Sequence, residues 1–344
     1  EGSINDIHRE NIDDIKIKSK ITGNILSRVE YVFDCWFESG SMPFSSQNYY
    51  LNKNVNFPAD FIAEGLDQTR GWFYTLLIIG TALKNIAPFK NVIVNGLVLA
   101  EDGKKMSKRL KNYPDPLDVI NKYGSDALRF YLISSPAVKA EGIRFKETGL
   151  EDILRTVTIP LINSYKFYNE HKTKIEKIMN NELVFDNFIS ENIFDKWIIY
   201  KFNEYKRNII NDIDNYILYK LHQRTQEFVE NLNNVYIKLN RDRLKGKVDY
   251  DNSYQSLKTL CQVLYNFSIL ASSYLPFFSE FLFQKLVIDI GLEYESVHLL
   301  SYDNFTLSDI NHQIEFTKID SLNKVIDLIR NIRGTYGIST KMPV

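Results

Sequence analysis

Cysteine is nearly absent: Cys35 and Cys261 are the only two in 344 residues, and no CxxC spacing occurs. That argues against a disulfide scaffold and against a cysteine-rich zinc site. An excess of one charge is missing as well. Lys and Arg number 42 and Asp and Glu 43, a formal charge of −1, so bulk charge alone would not hold nucleic acid. No apolar run approaches the roughly 18 residues that span a bilayer, and residues 1–30 lack the apolar core of a signal peptide. Histidine is scarce: His8, His171, His222, His298 and His312 are the full set, with none in residues 30–150. Alanine is scarce too, nine against 32 Asn, the skew an A/T-rich coding genome would give. Isolated surface Asn and Lys therefore count for little as functional evidence. What is present is ordinary for a globular chain, with 44% hydrophobic and 25% charged residues over about two domains' length. The expectation is a cytosolic, soluble, metal-free protein.

The pattern divides near residue 150. Residues 55–150 alternate strand-like and helix-like signals. Phe57–Ala63 is a short apolar run, and Asp67 to Lys84 carries Phe73, Leu76, Leu77, Gly80 and Leu83 at helical spacing. Asn91–Leu99 is nearly all apolar and β-branched, as a strand buried on both faces would be. Asp115-Pro116 reads as an N-cap and first helical position, Gly124 as a stop, and Ser125 as the cap of a further helix. Strand–helix alternation predicts an α/β domain with parallel strands. Beyond Lys146, helical periodicity runs through Thr148–His171, Ser190–Asp212, Asp214–Leu244, Ser253–Leu275, Phe277–Gly291 and Glu315–Arg333. Pro160 should kink or end the first of these. Only Glu295–Tyr302 resembles a strand there, so the second half reads as a helical bundle.

Chemistry-bearing residues fall at the expected strand ends, where open α/β sheets bind ligands. In Glu64-Gly-Leu-Asp-Gln-Thr-Arg-Gly-Trp-Phe73, Gly65 lets backbone approach a ligand, and Glu64 and Asp67 could hold an ammonium group or ribose hydroxyls. The plainer alternative is that Asp67 caps the helix and Glu64 is merely solvated. The second stretch places Lys104, Lys105, Lys108, Arg109 and Lys111 in a loop after Glu101-Asp102-Gly103. Five cations in eight positions suit a polyphosphate, though they also suit a solvated basic loop.

Here the residues reach a family. Lys105-Met-Ser-Lys-Arg109 resembles the Lys-Met-Ser-Lys-Ser signature of class I aminoacyl-tRNA synthetases, with Arg109 at the place of the Ser. Trp36-Phe-Glu-Ser-Gly-Ser41 and Glu64–Phe73 resemble blocks of the branched-aliphatic subgroup. Asn95-Gly-Leu-Val-Leu99 and Leu110-Lys-Asn-Tyr-Pro-Asp-Pro116 resemble isoleucyl-tRNA synthetases of eukaryotic cytosolic type, and Asn240-Arg-Asp-Arg-Leu-Lys-Gly246 resembles a helix end of the isoleucyl anticodon-binding domain. The resemblance implies the second half of a Rossmann-like catalytic domain, followed by an all-α anticodon-binding bundle. It implies formation of isoleucyl-adenylate from isoleucine and ATP, then transfer of isoleucine to tRNA(Ile) in the cytoplasm, with Mg2+ accompanying ATP. Carried over residue by residue, Glu64 meets the adenylate's amino-acid end, and Gly65, Asp67 and Gln68 meet ribose and aminoacyl group. Asn95, Gly96 and the backbone at Val98 meet the adenine side. Lys105 and Lys108 stabilise the transferring phosphates. Trp36 and Trp72 wall the isoleucine pocket, their alternative being plain core packing. The implied boundaries are 1–30, a return segment from an inserted editing domain; 31–150, the catalytic half; 151–189, connecting helices; and 190–344, the anticodon-binding domain.

The family's His-Ile-Gly-His signature is absent from this sequence. The chain thus reads as a fragment, needing the N-terminal half of the same enzyme as partner and inactive in isolation. Its alternative function is a tRNA-binding module without catalysis, and a third reading is an interaction protein with vestigial motifs. Within the bundle, Arg241, Arg243, Lys245 and Lys247 are candidates for tRNA phosphates, or equally a charged helix end complementing its own dipole.

Overall fold

The computed structural model describes residues 5–107, 109–110, 112–180, 190–339 and 342. Its contacts divide the chain into two compact units, Glu1–Ile93 and Val94–Val344. The first unit opens with the helical turn α1 (Arg9–Ile12) and an antiparallel hairpin, β1 (Lys16–Lys18) and β2 (Ile25–Ser27), in the register Lys16↔Ser27. Two short helices follow, α2 (Cys35–Gly40) and α3 (Met42–Ser45), then β3 (Ala59–Gly65), α4 (Trp72–Lys84) and β4 (Phe89–Asn95). Asp34 starts α2 by accepting the Trp36 N–H at 2.9 Å, and Asn85 ends α4 in the left-handed region at φ +57°. Buried Phe73 and Leu76 form the inner face of α4.

The strand expected over Asn91–Leu99 is broken and is not buried on both faces. β4 ends at Asn95, and Val92 is 44% exposed. Among the described residues β4 pairs with β3 alone, so the sheet is two-stranded, and Phe61 and Val92 stay open to solvent while Ile62 is buried.

In the second unit β5 (Val98–Leu99) pairs in parallel with β6 (Ile143–Arg144), register Leu99↔Arg144. Between them lie α5 (Pro116–Tyr123) and α6 (Ser125–Ile133). Asp115 caps α5 as expected, accepting the Leu117 N–H at 2.8 Å with Pro116 in the first turn, and Gly124 stops it at φ +86°. Ser125 is not a cap, however. Gly124 holds that position and Ser125 is already helical.

A long helical run then extends from α7 (Glu147–Ile153) through α8 (Ile159–Met179), joined by a π-helical turn at Leu154–Thr158. Pro160 does not end it. The widened turn comes just before the proline, which sits in the first turn of α8 where its missing N–H costs least. The remaining helices are α9 (Ile193–Asp214), α10 (Leu221–Glu230), α11 (Arg241–Leu244), α12 (Tyr250–Ala271), α13 (Pro276–Leu286) and α14 (Ile314–Thr335). Every residue of α12 from Ser256 onward is buried, the mark of a helix packed on all sides. Among its polar members, Asn266 exchanges hydrogen bonds with Thr306 at 2.7 and 2.8 Å. The strand expected at Glu295–Tyr302 is instead a pair of single helical turns. Its backbone turns back onto α13, where Glu280 accepts the Val297 N–H at 2.9 Å. No described helix is long and apolar enough to cross a membrane.

The core of this unit runs from Val119 on α5 to Ile319 on α14 without interruption. Two interactions explain why α6 belongs with the helices and not with the strands before it. Asp126 accepts the Phe278 N–H at 2.7 Å, capping α13, and Phe130 stacks on Tyr274 with centroids 5.2 Å apart.

Candidate active site

In the first unit, β3 delivers Glu64 and Gly65 to a tight helical turn, Leu66–Arg70, which leads into α4. Glu64 and Asp67 are exposed, and neither carboxylate has a bonding partner among the described residues. Capping falls to a different residue. Gln68 accepts the Trp72 N–H through Oε1 at 2.8 Å, leaving its amide N–H groups free for a ligand. A Cβ at Gly65 would lie 2.7 Å from Asp67 Oδ1, so glycine keeps that carboxylate's space open. Gly71 is tighter still: a Cβ there would stand 2.6 Å from Gln68 Oε1 and 2.9 Å from the Trp36 ring. Trp36, Gln68, Gly71 and Trp72 thus converge. Trp36 is 43% exposed. Trp72 is half-buried and donates its indole N–H to the Ser39 carbonyl at 3.1 Å, tying α4 to α2.

In the second unit, Asn95 is half-buried and Gly96 donates its N–H to the Ala137 carbonyl at 2.7 Å. A Cβ at Gly96 would fall 1.9 Å from the Glu141 carbonyl oxygen, so no other residue fits against that turn. Val98 is exposed and paired with Ile143. After β5 the chain reverses at Gly103, φ +82°, and the Ala100 N–H bonds the Lys104 carbonyl at 2.9 Å. Lys104 lies 3.5 Å from Asp102, whose carboxyl is held below its ordinary range, first by the Lys104 backbone N–H. Lys105 forms an antiparallel bridge to Leu99, and its exposed ammonium has no ion-pair partner among the described residues. Lys108 and Lys111 lie outside the described residues. Arg109 is exposed.

Asn112 is the residue that sequence reasoning missed here. Its side chain accepts the Ser107 N–H at 2.9 Å and donates to the Lys105 carbonyl at 3.1 Å. The only sequence signal was its place just after the basic signature, hidden by the abundance of Asn elsewhere. Beside it lies a wholly apolar cavity of about 210 Å³, lined by Val98, Met106, Tyr113, Val119 and Phe145 among others.

The basic segment in the helices needs one correction. Arg243 is not available to phosphate, because its guanidinium is engaged twice by Asp195, at 2.9 and 3.1 Å, and by Asn240 and Asn252. Asp195 is fully buried and also accepts the Tyr236 hydroxyl at 2.7 Å. Arg241 is exposed with its guanidinium 5.9 Å from the Phe167 ring centre, Lys245 is half-exposed, and Lys247 pairs with Asp242 at 3.0 Å.

Residues 1–144 match the family model of tRNA synthetases class I (I, L, M and V), and residues 195–344 that of the anticodon-binding domain of tRNA ligase. The chain is 45% identical over 99% of its length to the cytoplasmic isoleucine–tRNA ligase of Caenorhabditis elegans. The figures are 43% over 99% for that of Saccharomyces cerevisiae, and 44% over 99% for that of Mus musculus. The chain belongs to the class I tRNA synthetases.

This class I synthetase chain spans about a third of those curated relatives, 30%, 33% and 28% of their lengths. Its fold is shared with a LeuRS–tRNA–LeuAMS complex from Agrobacterium radiobacter K84, with a TM-score of 0.58 and 17% identity over 86% of this chain and 35% of that one. Methionyl-tRNA synthetase of Mycobacterium tuberculosis with methionyl-adenylate gives 0.53 and 15%, over 70% and 48%. Among the described residues of the synthetase chain, no three His, Cys, Asp or Glu side chains converge as a metal cage.

Proposed function

We propose that this chain supplies the adenylate-binding and tRNA-binding parts of a cytoplasmic isoleucine–tRNA ligase. The observation that carries the reading is identity of 43–45% over 99% of the chain to isoleucine–tRNA ligases. Residues 31–150 act as the second half of a Rossmann-like catalytic domain, 151–189 as connecting helices and 190–344 as the helical anticodon-binding domain. Residues 1–30 return from an inserted editing domain. In the reaction the isoleucine carboxylate attacks the α-phosphorus of ATP and pyrophosphate leaves. A terminal tRNA hydroxyl then attacks the acyl carbon and AMP leaves.

No side chain needs to become covalently attached, so the work is positioning and charge stabilisation. Glu64, unpaired and exposed, faces the isoleucine ammonium, while Asp67 and the free amide of Gln68 bond ribose and aminoacyl groups. Trp36 and Trp72 wall the isoleucine side chain. Asn95, Gly96 and the Val98 backbone take the adenine, with the bare Cα of Gly96 keeping that approach open. Lys105 and Lys108 neutralise the phosphates. Mg2+ would accompany ATP and add charge neutralisation at its phosphates.

The test is amino-acid-dependent ATP–pyrophosphate exchange by the enzyme that contains this chain. Isoleucine should drive it, and Lys108→Ala should slow it by about a hundredfold or more, the scale on which one group stabilises a transition state. Exchange driven by leucine or methionine instead, or an unchanged rate in the Lys108 variant, overturns the assignment.

A further inference from the structure

We infer that Asn112 is a positioning residue for adenylate formation, acting through the backbone of Lys105. The inference rests on the synthetase reading above. The Asn112 carboxamide sits across the basic signature: Oδ1 accepts from Ser107 N–H at 2.9 Å, and Nδ2 donates to the Lys105 carbonyl at 3.1 Å. On its other side Lys105 is held by the bridge to Leu99, and the turn before it is closed by the Ala100–Lys104 hydrogen bond at 2.9 Å. Met106, between the two clamped residues, packs against the core and lines the apolar cavity with Tyr113 and Phe145. The backbone of residues 105–107 is therefore fixed by β5, by an apolar anchor and by one carboxamide, while the Lys105 ammonium stays exposed and unpaired among the described residues.

Only a short carboxamide meets both demands. Its oxygen accepts from one peptide while its nitrogen donates to another two residues away. A carboxylate keeps the acceptor but sets negative charge against the Lys105 carbonyl, and alanine keeps neither bond. The same amide joins residue 107 to residue 112. Stabilising charge on a transferring phosphate depends on placement, and a shift of about 1 Å away from the chemistry can cost on the order of a hundredfold in rate. Asn112 supplies that placement without touching the nucleotide.

The experiment uses the complete enzyme with Asn112→Ala and Asn112→Asp. Both should lower kcat for isoleucine-dependent ATP–pyrophosphate exchange by about tenfold or more, with the isoleucine KM kept within about twofold. Because the effect runs through Lys105, Lys105→Ala and the double variant Lys105→Ala/Asn112→Ala should be equally slow within about twofold. Fully additive losses, or a kcat within about threefold of the unaltered enzyme, overturn the inference. Hydrogen exchange over residues 104–113 gives an answer that does not depend on activity. It should quicken in both variants while exchange in α12 stays the same, and unchanged exchange at 104–113 overturns the clamp. If the unaltered enzyme shows no isoleucine-dependent exchange, the synthetase reading fails and hydrogen exchange still decides the clamp.

Discussion

At the scale of single residues, Asp195 and Arg243 form the most demanding pair in the helical region, since Asp195 is fully buried and the Arg243 side chain is only 12% exposed. Removing the cation leaves an uncompensated buried carboxylate. Arg243→Ala should destabilise the chain by about 3–5 kcal/mol in urea unfolding, against near-neutral effects for Lys247→Ala on the same segment. An equal effect of the two would mean that the pair is not the support the geometry implies. Two histidines should make stability depend on pH. Burial lowers both His171 and His222 from the ordinary 6.5; Lys245, Lys174 and Arg241 push His171 down further against Glu170, and Asp152 opposes the shift of His222. For a histidine lowered by folding, the unfolded chain binds the proton first. Stability should hold above pH of about 6.5, fall as pH drops below it, and level off once the folded-state values are passed. His171→Gln with His222→Gln should flatten that slope in thermal melts between pH of about 5 and 7.5; an unaltered slope would assign it to other groups.

Among elements, the joint between α6 and α13 is the informative one. Asp126 lies in the first turn of α6 yet caps the N-terminus of α13, accepting the Phe278 N–H at 2.7 Å across 152 positions of sequence. Its carboxyl is raised above the ordinary range because desolvation outweighs those backbone donors. Asp126→Ala should cost about 0.5–2 kcal/mol, the range of a lost N-cap, and should quicken hydrogen exchange in α6 and at the start of α13 together. Faster exchange in α13 alone would show that the cap does not dock α6. The helix pattern over 115–133 was readable from Asp115, Pro116 and Gly124, because capping is local chemistry. The partner of Asp126 was not, because nothing near it in sequence announces an N-terminus so far along the chain.

At the scale of the whole chain, a net charge of −1 means that the proposed tRNA binding would have to come from local patches. With Arg243 spent on Asp195, the exposed basic segment contributes Arg241, Lys245 and Lys247. Neutralising these three in the complete enzyme should weaken tRNA binding and make the log–log salt slope shallower by about 0.7–0.9 for each phosphate no longer neutralised. Arg243 should show no slope change of its own once folding is matched. A slope untouched by the triple variant would leave the segment as a solvated helix end.

The proposed site is drawn mostly from the one-dimensional order of residues. Glu64-Gly65, Asn95-Gly96 and the Lys105–Arg109 signature are runs whose spacing is chemistry in itself, and the glycines sit where a Cβ would meet backbone or a neighbouring side chain. The cap at Asp115 and the stop at Gly124 are local for the same reason. Other features depend on groups far apart in sequence. Whether Gln68 or Asp67 caps α4, and whether Arg243 meets a phosphate or Asp195, are choices between partners that only packing brings within reach. The apolar strand at 91–99 was misjudged because β-branched composition records what a strand can bury, while the burial it attains depends on what lies against it. Asn112 shows the same division. Its carboxamide is one of 32 in the sequence, and folding singled it out by placing the Lys105 carbonyl and the Ser107 amide on either side of it.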